Sequence, residues 1–324
     1  MSNNEPILLH VENLSVEFQT RSGKLRALEN VNFDLRRGEM LAVVGESGSG
    51  KSVTSYAIMG ILDPAARVTS GRILLNGRDI LRETEGNLRS MRGRSFSMIF
   101  QNPRTALNPI RPIGKQIADV LVEHTGLGRR AAMIRAVELL AQVKIPDPER
   151  RAKAYPFELS GGMCQRAMIA MALSCKPAIL IADEPTTGLD VTTQATILEL
   201  IDEVARDQGM STLFITHDLA LAADHAQRIA VMHAGHVVEV ASSAALLEAP
   251  RHPYTKALLA AMPGPAASLL DLSSIPNNLP DLRRTDLPEC RYAERCTRRE
   301  ADCDLPLVLE PLDSRHFIAC HHPL

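Results

Sequence analysis

Residues Gly45-Glu46-Ser47-Gly48-Ser49-Gly50-Lys51-Ser52 fit the pattern G-x-x-x-x-G-K-[ST] at every fixed position. The apolar run Met40-Leu41-Ala42-Val43-Val44 leads in, and Val53 to Ile61 leads out as a helix-compatible segment without proline. The expected order is therefore buried strand, loop, helix. Glycines let the backbone curl with its N–H groups facing inward, and the helix adds its positive N-terminal end. Such a nest suits the phosphates of a nucleotide. Lys51 would reach the β- and γ-phosphates, and Ser52 would place a hydroxyl on Mg²⁺. A glycine-rich turn would match by accident roughly once in a hundred chains of this length. The flanking strand and helix lower that further.

The bulk numbers bound what surrounds this loop. At 324 residues the chain has room for two domains, or one large domain with an appendage, and a 45% hydrophobic content supports a sizeable core. A formal charge of −2 and a pI near 6.6 leave no basic footprint for nucleic acid. Aromatic residues are 3% of the chain and tryptophan is absent, which argues against a stacking platform for bases. No apolar run approaches the ~18 residues that span a bilayer. Met1 to Glu5 are polar, without a signal-peptide apolar segment. The expectation is a cytosolic, soluble polypeptide whose membrane role comes through a partner.

Taken in order, Ile7 to Phe18 alternates as a strand, Arg21 to Lys24 reads as a turn, and Leu25 to Leu35 as a second strand region. Two short strands ahead of the loop would bring Phe18 near a nucleotide, where its ring could stack on adenine; a core phenylalanine is the alternative. Gly71 to Gly77 reads as a strand closed by an Asn-Gly turn. Ser97 to Phe100 is a short strand ending at Gln101, a position where ligands collect in α/β nucleotide proteins. Gln101 could contact Mg²⁺ or an attacking water. From Ile113 to about Tyr155, apolar residues recur at helical spacing until Pro146 and Pro148, as in a helical insertion between two parts of an α/β core.

The insertion ends at Leu159-Ser160-Gly161-Gly162-Met163-Cys164-Gln165-Arg166. Ser160 suits an N-cap, but two glycines at the next positions cost helix stability, which suggests close approach of a ligand to their backbone. Ala178 to Glu184 reads as a buried strand ending in two acids. Asp183 suits Mg²⁺ through water, and Glu184 suits polarising the water that attacks a γ-phosphate. Pro185 to Asp190 reads as a turn and Val191 to Gln208 as a helix. Thr212 to Thr216 is another buried strand with His217 at its end, able to hydrogen-bond the γ-phosphate or orient Glu184. Ile229–Met232 and Val237–Val240 form a hairpin over Ala234-Gly235.

With these motifs in this order, residues 7 to about 245 resemble an ATP-binding-cassette ATPase. The fold so implied is an α/β P-loop NTPase core with an antiparallel β subdomain, a helical subdomain at about 102–167 and a C-terminal cysteine-containing extension. The resemblance makes Gly45 to Ser52 the Walker A loop, Ile179 to Asp183 Walker B, and Glu184 the general base. It makes Gln101 the Q-loop residue, His217 the switch histidine and Asp190 the D-loop residue. Ser160-Gly161-Gly162 and Gln165 match the signature motif, which in relatives completes the nucleotide site of the opposite subunit. Two ATPs clamped with Mg²⁺ between two cassettes are implied, the second cassette being a paralogue or a second copy.

Arg251 to Leu259, Cys290-Arg291-Tyr292, Cys296, Cys303 and Ala319-Cys320-His321 resemble the extension of dipeptide, oligopeptide and nickel importer ATPases. Thr297 replaces the proline usual after the second of these cysteines, and Glu289 the glycine usual before the first. The spacings lack the C-x₂₋₄-C pairs that zinc favours, and a reducing cytosol disfavours disulfides. Four cysteines suffice for an iron–sulfur cluster, and the resemblance implies a structural [4Fe–4S] centre; zinc and ordinary thiols stay open. Cys164 and Cys175 read as small buried residues.

The expected organisation is a nucleotide-binding domain over 1–245 and an extension over 246–324. The resemblance implies an ATPase subunit on the cytoplasmic face of the inner membrane, energising uptake of di- or oligopeptides with two transmembrane permease subunits and a solute-binding protein. Nickel chelates and glutathione are the alternative cargoes. A soluble cassette ATPase on DNA or ribosomes is disfavoured by the near-neutral charge. A small-molecule kinase would not need Leu159 to Gln165 or the acid pair with His217.

Overall fold

The structure is a computed structural model that describes residues 6–21, 23–262, 278–313 and 315–324. The polar stretch Met1 to Glu5 lies outside the described residues. The chain divides into two units, residues 1–82 with 214–324, and residues 83–213.

In the first unit, Met40–Val44 is buried at all five positions, as its unbroken apolar run requires of a strand covered on both faces. It pairs parallel with Arg228–His233, which pairs antiparallel with His236–Ser242 across the tight Ala234-Gly235 turn. Phe317–Ile318 adds to the far edge of His236–Ser242, so the C-terminal extension continues this sheet. A second, antiparallel sheet orders Gly23–Arg36, Ile7–Thr20, Ala66–Leu75 and Arg78–Asp79. Its first two strands run 14 residues each, longer than the short strands expected. Register shifts at Val11/Leu14 and Leu14/Val16 break the strict alternation. Each such bulge bends and twists the ribbon.

Two buried charged groups of this unit, Arg228 and Glu239, have their partners within it. Arg228, 8% exposed, donates to Asp34 and Glu39. Glu239 is fully buried and accepts from the N–H groups of Arg251 and His252 at 2.7 and 2.9 Å and sits 2.6 Å from His316 Nε2. These bonds anchor the start of the extension to the sheet. His252 then caps the helix Pro253–Ala260, its Nδ1 accepting from the Tyr254 N–H at 3.0 Å, with Pro253 at the first helical position.

In the second unit, Phe96–Ile99 pairs parallel with Ile179–Asp183. The helices Ile113–Thr125, Arg129–Gln142 and Gly161–Leu173 bury Ile117, Leu121, Ala136, Leu139, Leu140 and Met168. This is the helical region expected from its 3.6-residue periodicity. Cys164 is fully buried, its thiol directed at the Pro156 carbonyl. The helix Val191–Gln208 begins at Asp190, whose carboxylate accepts from the Thr193 N–H at 3.0 Å, and ends on the left-handed Gly209.

Candidate functional site

The phosphate loop turns where glycine alone can pass. A Cβ on Gly45 would stand 2.1 Å from the Met232 carbonyl oxygen, and one on Gly50 would stand 2.6 Å from the Leu28 methyl, both at positive φ. Gly50 precedes the helix Lys51–Met59, whose first turn carries no acidic residue to compete for an anion. Lys51 is 5% exposed, and its Nζ donates to the carbonyls of Gly45 and Glu46 at 2.7 and 3.0 Å. The ammonium thus bridges the loop it belongs to, at the place where a triphosphate would offer better acceptors. Ser52 follows it on the first turn. Ser49 is fully buried, and its carbonyl accepts from the Gly235 N–H at 2.8 Å.

Glu46 is the loop's one acidic side chain. Arg295 donates to its two carboxylate oxygens at 2.9 and 3.1 Å, and His233 Nδ1 lies 3.7 Å away. Burial alone would raise the Glu46 pKa, but the nearby His233 ring and the Arg295 guanidinium outweigh it and hold the carboxyl at about 2. The Glu46 N–H donates to the Tyr254 hydroxyl at 3.1 Å. Burial drives His233 below the usual imidazole range and the Tyr254 phenol above its own.

In the second unit, Asp183 ends its strand at 1% exposure. Glu184 comes next with φ of 45°, a left-handed conformation that costs a non-glycine residue of order 1 kcal/mol and is common at functional positions. Its Oε2 accepts from Gln101 Nε2 at 2.8 Å and from the Thr187 hydroxyl at 2.9 Å. The two strands thus deliver Gln101 and Glu184 to one point. Ser160 caps the helix Gly161–Leu173, its Oγ accepting from the Met163 N–H at 3.3 Å. A Cβ on Gly161 would meet nothing within 4 Å, so packing inside the chain does not demand glycine there. Gln165 is 2% exposed and donates to the Pro185 carbonyl, tying that helix to the turn after Glu184. Asp190 caps the helix that follows that turn.

Two expected residues stand elsewhere in the first unit. His217 is exposed just after the strand Ser211–Thr216. Phe18 is half-buried near the end of its strand, opposite Leu25 and Ala66, and so is not part of the fully buried core. Cys290, Cys296, Cys303 and Cys320 line one small cavity together with His252 and Tyr292. Burial pushes the Cys290 thiol up to about 12 and raises those of Cys296 and Cys320. The ligand atoms of Asp302, Cys303 and His322 lie within 4.8 Å of one another.

Residues 28–187 match the ABC transporter family, and residues 238–303 match the C-terminal region of oligopeptide/dipeptide transporters. The dipeptide transport ATP-binding protein DppD of Bacillus subtilis is 48% identical over 92% of this chain and 89% of its own length. The chain belongs to the ABC transporter family. The DppD of Escherichia coli is 46% identical over 98% of this chain and 97% of its own, and the oligopeptide transport ATP-binding protein OppD of Bacillus subtilis is 50% identical over 85% and 77%. The dimeric post-hydrolysis structure of the ATP-binding cassette MJ0796, bound to ADP and Pi, matches with a TM-score of 0.66 at 26% identity over 72% of this chain and 98% of that one. The cbiO1 structure from Clostridium perfringens, part of the transporter complex cbiONQ, gives 0.61 at 29% identity over 74% and 90%. The α/β fold, antiparallel sheet and helical region described above are those of an ABC ATPase.

Sequence reasoning missed the contacts of Glu46. Glu46, Tyr254 and Arg295 are remote in sequence, and the packing of Tyr254 and Tyr292 around His233 that joins them is visible only in the fold.

Proposed function

We propose that this chain is the ATP-hydrolysing subunit of an importer for di- or oligopeptides, acting at the cytoplasmic face of the inner membrane. The observation that carries the reading is that likeness to dipeptide transport ATP-binding proteins continues beyond the cassette through the extension. The partners in this reading are a second cassette, either a paralogue or a second copy, two transmembrane permease subunits and a solute-binding protein. Among the described residues no helix is long and apolar enough to cross a membrane, which accords with a subunit that borrows its membrane path from others.

The loop Gly45 to Ser52 cradles the phosphates, with Gly45, Glu46, Ser47, Gly48, Ser49 and Gly50 shaping the nest and Lys51 exchanging its loop carbonyls for phosphate oxygens. Ser52, Asp183 and Gln101 serve the Mg²⁺. Glu184 takes the proton of the attacking water, with His217 on the γ-phosphate and Phe18 against the base. Ser160, Gly161, Gly162, Gln165 and Asp190 serve the nucleotide of the opposite cassette. In this reading 1–245 is the nucleotide-binding domain, with its helical subdomain at about 102–167, and 246–324 the extension.

The four cysteines that line the cavity are the ligands proposed for a [4Fe–4S] cluster. A tetrahedral zinc with bonds near 2.3 Å holds its sulfurs roughly 3.8 Å apart. Among the described residues, no three of these cysteines form a group with sulfurs within 4.8 Å of one another. The role of such a cluster would be structural. A mononuclear metal on Asp302, Cys303 and His322 is the second reading, since those atoms do converge. Iron, sulfide and zinc analysis of anaerobically purified protein separates the two.

Reconstitution in liposomes with the permease and binding protein that co-purify with it tests the function. Dipeptide-stimulated ATP hydrolysis with peptide accumulation is expected. Stimulation by nickel chelates or glutathione instead would reassign the cargo, and salt-sensitive DNA binding without transport would remove the importer reading.

A further inference from the structure

Glu46 sets a problem for any reading in which Gly45 to Ser52 takes a triphosphate. A carboxylate held at about 2 is fully charged at neutral pH, and it lies inside the loop that receives the anion. Left alone it would repel the ligand. The chain meets that charge with an arginine from its own C-terminal extension. Arg295 has a side chain only 3% exposed and grips Glu46 with two hydrogen bonds, in the planar fork that suits a carboxylate. This is neither a solvated surface pair nor an unpaired buried charge.

The same extension also holds the loop's backbone. Tyr254, fully buried, accepts the Glu46 N–H. Its ring packs 4.4 Å from His233 and 5.3 Å from Tyr292, and the Arg295 guanidinium stands 5.7 Å from the Tyr292 ring centroid. Arg291 adds a donor to the Ala234 carbonyl and another to Glu29. Arg295 ends the short 3₁₀ turn Ala293–Arg295, which lies between Cys290 and Cys296. The Cys290 N–H in turn donates to the Cys303 carbonyl at 3.1 Å. What fixes those cysteines therefore fixes the base of the arginine.

We propose that Arg295 is a positioning residue that neutralises and orients Glu46 of the phosphate loop, so that the state of the cysteine lobe is transmitted to nucleotide affinity. The proposal rests on the nucleotide-binding reading above and adds a reason for this cassette to carry the lobe beside its phosphate site.

The test is binding of a fluorescent ATP analogue with Mg²⁺ to the full chain, with melting temperature recorded beside it. Arg295→Gln should weaken binding about tenfold by leaving the carboxylate uncompensated. Arg295→Lys keeps the charge and should stay within about threefold of the parent. Adding Glu46→Gln to Arg295→Gln removes the offending charge and should restore affinity to within about threefold, a recovery that a purely structural loss would not give. Cys296→Ser should weaken binding in the same direction and be recovered by the same Glu46→Gln change. Parent-like binding in Arg295→Gln, or no recovery in the double variant, overturns the assignment; parent-like binding in Cys296→Ser overturns the link to the lobe. Should Arg295→Gln fail to fold, Glu46→Gln alone decides: with the Arg295 charge left uncompensated beside the loop it should bind at least about threefold tighter than the parent, and parent-like or weaker binding overturns the assignment. A parent chain that binds no nucleotide at all would strike the function itself, and a parent without iron would strike only the cluster.

Discussion

Gln101 and Glu184, 83 residues apart, meet through one hydrogen bond of 2.8 Å at the ends of two parallel strands. The amide occupies a carboxylate oxygen that a hydrolytic water would need. On the proposed function, Gln101 would yield this position when Mg²⁺ and water arrive. Glu184→Gln should leave Mg-ATP affinity within about threefold of the parent while lowering hydrolysis by about 10²–10⁴, the usual worth of a positioned base. Phosphate release in single-turnover conditions checks this, and the variant should also accumulate as a nucleotide-bound dimer. Undiminished turnover would remove Glu184 from the chemistry.

Lys51 holds two carbonyls of its own loop and is nearly buried. Lys51→Ala should cost both the phosphate contact and this bridge, weakening ATP binding by at least about tenfold. Equilibrium titration at constant ionic strength measures it, with no comparable loss expected for an exposed lysine such as Lys24.

Gly45 has the carbonyl of Met232 where a side chain would begin. Gly45→Ala should therefore destabilise the protein by about 1–3 kcal/mol through overpacking and displace the loop enough to abolish nucleotide binding. A thermal melt and a binding assay on the same sample give both numbers. A neutral outcome in both would mean the strand and the hairpin can separate at little cost.

His252 is pushed down to about 3, first by burial and then by the nearby His233. Its own Nδ1 accepts the Tyr254 N–H, which requires the neutral ring. The unfolded chain takes up this proton near pH 6.5 and the folded one does not until about 3. Stability is thus fully present above about pH 6.5 and falls as pH drops toward 3, by about 1 kcal/mol per pH unit from this group. His233 and His236 are lowered too and add to the trend. Urea unfolding of the parent and of His252→Asn between pH 5 and 7 should show the shallower slope in the variant, because asparagine can still cap the helix without titrating.

Much of this was legible in the sequence because the signals are local. An apolar run, a glycine pattern and a helix start specified Met40–Val44, the phosphate loop and Lys51–Met59. The Pro185–Asp190 turn and the helix Val191–Gln208 were equally plain, since Asp190 is a strong cap. The ends of the first two strands are less legible: Gln19 pairs with Lys24 and Thr20 with Gly23, so the hairpin turn is tighter than the one expected over Arg21 to Lys24 and both strands run on into it. The helix Glu85–Met91 went unread because it buries only Leu88 and offers no apolar stripe. The strained backbone of Glu184 carries no residue signature. The Arg295–Glu46 pair spans 249 residues, and no periodicity reaches that far.

The Arg295–Glu46 pair also constrains anyone who builds chimaeras from these proteins. A swap that exchanges the cassette and keeps the native tail moves one partner of the pair and strands the other, so a hybrid with an intact phosphate pattern can still fail. Positions 46 and 295 need to travel together, and a donor cassette with an uncharged residue at the first site should be matched with a tail that has lost its arginine.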